Sequence, residues 1–263
     1  MMYLFSKNAQ VLLESLSYTN TLFAFDFDGT LSKIVRNPEG AVVAETLAKM
    51  IQELNAQVPV AIVSGRSRSD LKTKFSFRPK YLIGNHGLEG SKTIHKQEIF
   101  KKVSSAWRNQ IQTKLFGKNK KFEGVEVEDK EFSLALHYRK SRSKRAVKKE
   151  LLQLVQNLEP TPRIVLGKCV INLIPIGGPH KGMALLDVMS DANVKQAFYI
   201  GDDDTDEDVF SLNDSRIFTV RVGKKVNSSA KFFIKNQAEV HRLVMKILFY
   251  YRITRAKTNA TNL

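Results

Sequence analysis

Two acidic runs hold the residues whose types and spacing suggest chemistry. In FAFDFDGTLSKI, residues 23–34, Asp26 and Asp28 close a run of apolar and aromatic residues. In GDDDTD, residues 201–206, Asp202, Asp203, Asp204 and Asp206 follow a second such run. A buried carboxylate is costly unless it is paired or bound to a metal. Gathered without a cation, these groups would repel one another. Magnesium suits such a set, because it takes oxygen ligands at ~2.0–2.1 Å and favours one or two carboxylates plus a phosphate. Asp26 and Asp202 are the natural ligands, and Asp206, one helical turn on, could hold a metal-bound water. A rival reading has the DDDTDED run capping a helix N-terminus, where carboxylates are favoured anyway. That reading leaves the acidic end of the other run unexplained.

Hydroxyl, glycine and ammonium groups supply the complement. Ser64-Gly65-Arg66 ends a third apolar run, and Lys181 follows Gly177-Gly178-Pro179-His180. Ser64 can donate to a phosphate oxygen and Lys181 can neutralise one. Thr30 and the amides around Gly29 can form an anion-binding nest. Asp26 could then attack phosphorus as a nucleophile, with Asp28 protonating the leaving alkoxide and later deprotonating a water. Lys181, Ser64 and the metal would stabilise the transferring charge. Phosphate monoester hydrolysis calls for such convergence, since enzymes accelerate the slowest reactions of this kind by up to ~10²¹-fold.

The elements needed to position these groups are legible as an alternation. LFAFDFD (22–28), VPVAIVSGR (58–66) and PKYLIGNHGLEG (79–90) read as strands, with a helix over 45–55 and another N-capped by Ser67 or Ser69 between them. After residue 178 the pattern returns, with helix KGMALLDVM, strand QAFYIGDDD, a helix start at TDEDVFSLN, strand IFTVRVG and a last helix over 237–252. Strand and helix in turn predict an α/β fold with a parallel sheet, whose ligands bind beyond the carboxyl ends of the strands. The middle differs. Helices are expected over 100–116 and 142–158. VEVEDKEFSLALHYR (125–139) alternates as one strand, and RIVLGKCVINLIP (163–175) reads as a hairpin turning at Gly167-Lys168. This predicts an inserted α+β module with an antiparallel sheet. RITRAKTNATNL reads as a frayed tail.

Composition narrows the classes. The 263 residues are 43% hydrophobic, too many for a disordered chain. No apolar run approaches ~18 residues, so no membrane insertion is expected. The opening MMYLFSKNAQVLLESL lacks the layout of a signal peptide and reads as part of the fold or a short leading helix. The single Cys169 cannot form an internal disulfide, and the cytoplasm is the expected compartment. Net charge is +16, and residues 91–150 carry 17 Lys or Arg against 7 Asp or Glu. Such a surface attracts nucleic acid, acidic lipid or a phosphorylated small molecule. No nucleic-acid-binding motif accompanies it, which leaves a non-enzymatic nucleic-acid binder as a remote alternative. His86, His137 and His180 follow no usual metal-ligand spacing. Oligomeric state is not legible.

DFDGTL, VSGR, a lysine after a Gly-rich turn and YIGDDDTDEDVF resemble the four motifs of the haloacid dehalogenase superfamily of phosphatases. With GNHGLEG, EDKEFSLALHYR and HKGMAL added, the chain is most similar to the trehalose-6-phosphate phosphatases within it. The resemblance spans roughly residues 20–225. It implies a Rossmann-like core formed by 1–86 and 178–263, and a mobile, specificity-setting cap over 87–177. It implies Mg²⁺-dependent hydrolysis of trehalose 6-phosphate through an aspartyl-phosphate, the last step of trehalose biosynthesis. Asp26 would be the nucleophile and Asp28 the acid/base. Magnesium would bind Asp26, the Asp28 carbonyl and Asp202, with Asp206 supporting. Ser64 and Lys181 would hold phosphate, with Thr30 and Gly65 beside them. Arg66, Asn85, His86 and Glu89 would approach the sugar. The family pattern has a glutamate where Asn172-Leu173-Ile174-Pro175 begins here, so Asn172 takes that sugar-contacting position. An amide can bond hydroxyls but carries no charge. Glucosylglycerol phosphate, sucrose phosphate and mannosyl phosphoglycerate are therefore alternative substrates.

Overall fold

A computed structural model of the chain describes residues 1–35, 38–90, 97–115 and 122–261. In chain order the elements are β1 (Met2–Tyr3), α1 (Lys7–Ser15), β2 (Thr21–Phe25), α2 (Glu45–Asn55), β3 (Val60–Val63), α3 (Arg68–Thr73) and β4 (Tyr81–Ile83). There follow α4 (Gln97–Leu115), β5 (Glu126–Asp129), β6 (Leu134–His137), α5 (Lys144–Gln156), β7 (Pro162–Gly167) and β8 (Val170–Pro175). The chain continues through α6 (Lys181–Asp191), β9 (Gln196–Gly201), α7 (Glu207–Phe210), β10 (Ile217–Val222), β11 (Phe232–Ile234) and α8 (Glu239–Thr261). Two compact units result, Met1–Ser91 with His180–Leu263, and Lys92–Pro179. The first division falls a few residues beyond the expected 86/87. A β-bridge between Gly84 and Glu89 ties the loop after β4 to the first unit.

In the first unit, seven parallel strands run in the order β1-β11-β10-β9-β2-β3-β4. Strand order reverses between β2 and β9, and the crevice at such a switch point is where open α/β sheets bind ligands. Period-two alternation sorts the side chains between the two faces. Phe23, Phe25, Val60, Ile62, Phe198 and Ile200 pack with α2 and α8 through Ile51, Leu54, Leu243 and Ile247. Leu22, Ala24, Ala61, Val63, Ala197 and Tyr199 pack with α6 and α7 through Ala184, Leu185, Val188 and Phe210. Ala24, Ala61 and Ala197 keep part of the second face small where α6 packs. Asp26 continues the Leu22, Ala24 parity and so emerges on the α6 side. Each large apolar side chain buried here contributes about 1.5–3 kcal/mol.

In the second unit, β5-β6-β8-β7 form an antiparallel sheet whose core includes Trp107 and Ile111 of α4 and Val147, Leu151 and Val155 of α5. The segment read as one alternating strand is a hairpin, with Glu126 opposite His137 and Asp129 opposite Leu134. Glu131 takes φ 67° at the turn, and its amide donates to Asp129 Oδ1 at 2.8 Å. Both arms alternate, so the pattern alone did not mark the break between them. The β7–β8 turn lies at Lys168-Cys169, where Cys169 takes φ 66° and is half-buried against the core. The expected frayed tail is helical as far as Thr261. Arg252 pairs with Glu53 of α2 at 2.8 Å, and Thr254 Oγ1 lies 2.9 Å from Ser17 Oγ, so tertiary contacts extend the helix.

Trp107 is fully buried and its Nε1 donates to the Pro160 carbonyl. Trp107→Ala is expected to destabilise the second unit by about 3–5 kcal/mol, read as a lower denaturant midpoint.

Candidate active site

Asp26 leaves the end of β2 with its amide still bonded to Ile200 O at 2.9 Å, so the ladder to β9 aims its carboxylate. Lys181, the first residue of α6, reaches it from the face that alternation predicts. Its Nζ donates to Asp26 Oδ1 and to Asp206 Oδ1, each at 2.8 Å. Tyr199 OH donates to the same Asp206 oxygen at 2.6 Å, and the Asp203 amide donates to Asp206 Oδ2 at 2.9 Å. Asp206 is fully buried and spends both oxygens in this way. It precedes α7 without making a side-chain cap, so the helix-cap reading does not account for it.

Asp202 completes the group. Oxygens of Asp26, Asp202 and Asp206 lie within 4.8 Å of one another. Asp202 approaches the β2 loop only because residue 29 is glycine, since a Cβ there would sit 2.1 Å from Asp202 Oδ2. Gly29 also takes φ 82°, the left-handed region. Arg221 of β10 pins the loop from behind, donating to the carbonyls of Asp202 at 2.6 Å and Asp203 at 2.9 Å.

The electrostatics show what this group lacks. Burial pushes Asp26 well above the usual carboxylate range against the pull of Lys181, and Asp206 and Asp202 add to the rise. Burial, then Asp206 and Asp203, push Asp202 up to about 7. Burial raises Asp206 too. At Asp203 burial is outweighed by Lys181 and the Thr205 hydrogen bonds, and the carboxyl is held low. Burial would lower Lys181, but Asp206 and Asp26 hold it well above its ordinary value. One buried ammonium thus faces more negative charge than it can offset. Buried Asp202 Oδ1 has no hydrogen-bond partner among the described residues. An all-oxygen group with an orphaned carboxylate oxygen fits a hard divalent cation, and Asp26 and Asp202 are the donors best placed to hold it.

A second constellation lies alongside. Arg66 grips Asp28 with two bonds, Nε to Oδ2 at 2.6 Å and NH2 to Oδ1 at 2.7 Å. Its NH1 donates to Asp70 Oδ2 at 2.6 Å. Arg66, expected near the sugar, is thus turned to Asp28. Ser64 is buried at the end of β3, and its Oγ accepts the Arg66 amide at 3.2 Å. Thr30 is buried, and its Oγ1 has no hydrogen-bond partner among the described residues. Gly65 makes room for His86, since a Cβ would lie 2.5 Å from the imidazole Cε1. Asn85 and His86 both take positive φ, 53° and 58°, with amides bonded to Arg66 O and Ser64 O. Glu89 Oε2 accepts the Arg68 amide at 3.0 Å, so this carboxylate serves the start of α3. Asn172 belongs to the second unit, where its Nδ2 donates to Val165 O at 3.3 Å. Tyr199, Arg221 and Asp70 escaped the sequence reading. A charged residue inside the apolar strand IFTVRVG was the signal for Arg221, whereas a tyrosine in a strand carries none.

A parallel sheet whose switch point gathers Asp26, Lys181, Asp202 and Asp206 defines a protein of the haloacid dehalogenase fold. A family model described as trehalose-phosphatase matches residues 24–238. The chain belongs to that family. A trehalose-phosphate phosphatase of Mycobacterium bovis (strain BCG / Pasteur 1173P2) is 33% identical over 205 residues, covering 72% of this chain and 50% of that protein. This chain therefore spans about half the length of the curated relatives it matches. The C-terminal domain of a trehalose-6-phosphate phosphatase from C. albicans superposes with a TM-score of 0.68 at 20% identity, over 90% of this chain and 96% of that one. A Plasmodium vivax protein described as a HAD/COF-like hydrolase gives 0.60 at 15% identity, over 89% and 98%. These two likenesses concern the fold.

Removing one carboxylate should relieve the crowding. Without metal, Asp202→Asn is expected to raise Tm by ~2–4 °C, the equivalent of about 1 kcal/mol at this size. The upward Tm shift that a divalent cation gives the wild type should disappear in the variant. Thermal scans with and without chelator check both.

Proposed function

We propose that the protein is a magnesium-dependent phosphatase acting on trehalose 6-phosphate. The observation that carries this is Lys181 Nζ shared between Asp26 and Asp206, beside the orphaned oxygen of Asp202. The family membership points the same way. Asp26 attacks phosphorus and the ester oxygen leaves with a proton from Asp28, giving an aspartyl-phosphate and the free sugar. Asp28 then takes a proton from water, whose oxygen attacks the same phosphorus and frees Asp26. Lys181 offsets charge on the transferring group and holds Asp26 in place between Ile200 and Asp206. Ser64 at the end of β3 and Thr30 in the loop after β2, both buried, serve the phosphate. Magnesium held by Asp26, the Asp28 carbonyl and Asp202 would supply Lewis-acid stabilisation of the phosphoryl oxygens. The second unit acts as the cap that selects the sugar.

A second reading keeps the chemistry and changes the sugar. Asn172 favours it, because an amide bonded to Val165 O stands where the family pattern has a carboxylate. Glucosylglycerol phosphate, sucrose phosphate and mannosyl phosphoglycerate are the competing esters.

A panel of these sugar phosphates, assayed for phosphate release with magnesium and with chelator, tests both readings. Turnover should be fastest on trehalose 6-phosphate and vanish with chelator, and Asp26→Asn should lower it by at least ~10⁴-fold. An Asp26→Asn protein as active as the wild type would overturn the mechanism. A different best ester would favour the second reading.

A further inference from the structure

We infer that Asp70 is a positioning residue of this site, acting through Arg66 to hold the carboxylate of Asp28. This deepens the phosphatase reading and rests on it. Three contacts fix the guanidinium. Its Nε and NH2 engage both oxygens of Asp28, and its NH1 engages Asp70 Oδ2 at 2.6 Å on the other side. The plane also lies over the Phe27 ring, with Cζ 5.1 Å from the centroid. A bidentate fork sets the orientation of the carboxylate it grips, which a single hydrogen bond does not. Orientation matters because the Asp28 side chain is 42% exposed, whereas that of Arg66 is only 11% exposed. Left alone, a carboxylate that open to water would sample several rotamers.

Asp70 is itself anchored. It sits in the first turn of α3, its amide donates to Ser67 Oγ at 3.2 Å, and Lys74 Nζ lies 3.4 Å from its Oδ1. The Arg66 backbone is anchored as well, through Asn85 N to Arg66 O at 2.6 Å. Asp70 therefore passes the placement of α3 to the group that moves the proton, while the loop after β4 holds the Arg66 backbone. As a plain ion pair, one turn apart and partly exposed, Arg66–Asp70 would matter little to stability. Its effect should instead fall on the step that needs Asp28 aimed at the leaving oxygen.

The test separates proton delivery from folding. Single-turnover release of the leaving group is measured for a sugar phosphate, whose alkoxide needs a proton, and for p-nitrophenyl phosphate, whose phenolate leaves without one. Asp70→Ala is expected to slow sugar release by ~10-fold or more. It should leave phenolate release within about 2-fold and Tm within ~2 °C. Asp70→Asn keeps an oxygen acceptor for Arg66 and should restore most of the rate. Equal losses on both esters, or no loss on the sugar ester, overturn the assignment. A wild-type protein that turns over neither ester overturns the phosphatase reading instead.

Discussion

A lysine ammonium buried between two aspartates, with Lys181 Nζ 2.8 Å from both Asp26 and Asp206, is the constraint on which the first unit depends. Taking three charges out of water costs several kcal/mol per ion unless geometry and further hydrogen bonds compensate. The compensation is visible. Tyr199 and the Asp203 amide complete Asp206, and the β2–β9 ladder holds Asp26. The small Ala24, Ala61 and Ala197 on the face that α6 covers suit the same need, since the first residue of α6 must reach the end of β2. Removing Lys181 would leave the two buried aspartates without their opposite charge.

The same cluster is over-supplied with negative charge. Asp202 adds a carboxylate whose buried oxygen no described group satisfies, and burial together with the charges of Asp206 and Asp203 pushes its pKa up to about 7. Stability is thereby given up at the place where the proposed chemistry would receive a cation and a phosphate. Arg221 offsets part of this charge from behind the loop, without a hydrogen bond to the carboxylates of Asp26, Asp202 or Asp206. It grips the carbonyls of Asp202 and Asp203 and pairs with Glu207 at 2.9 Å, so the acidic loop is held by its backbone while Asp202 keeps one oxygen without a partner among the described residues.

Legibility followed the range of the forces involved. Strand parity, the helix at 45–55, the Ser67 cap and the acidic ends of two strands were all readable, because each is set by neighbours within a few residues. The 125–139 segment misled because both arms of its hairpin alternate, and only the backbone at Glu131 marks the reversal. The C-terminal helix ran beyond its apolar stripe because Arg252 finds Glu53 across the fold. Arg66 was legible as a functional residue, but its partner was not. Asp28 lies 38 positions away in the chain, and only the packing of β2 beside β3 brings the two together.

The sequence by itself determined the acidic, hydroxyl and ammonium groups at the strand ends and, by alternation, the face from which Asp26 emerges. Residue types at strand ends and period-two alternation are local properties of the chain. Tertiary structure alone decided their long-range pairings: Lys181 with Asp26 and Asp206, Arg66 with Asp28, Arg221 with the backbone of the acidic loop. Hydrogen bonds and charges act over a few ångströms, and distances that short between residues far apart in the chain exist only once the sheet has ordered its strands.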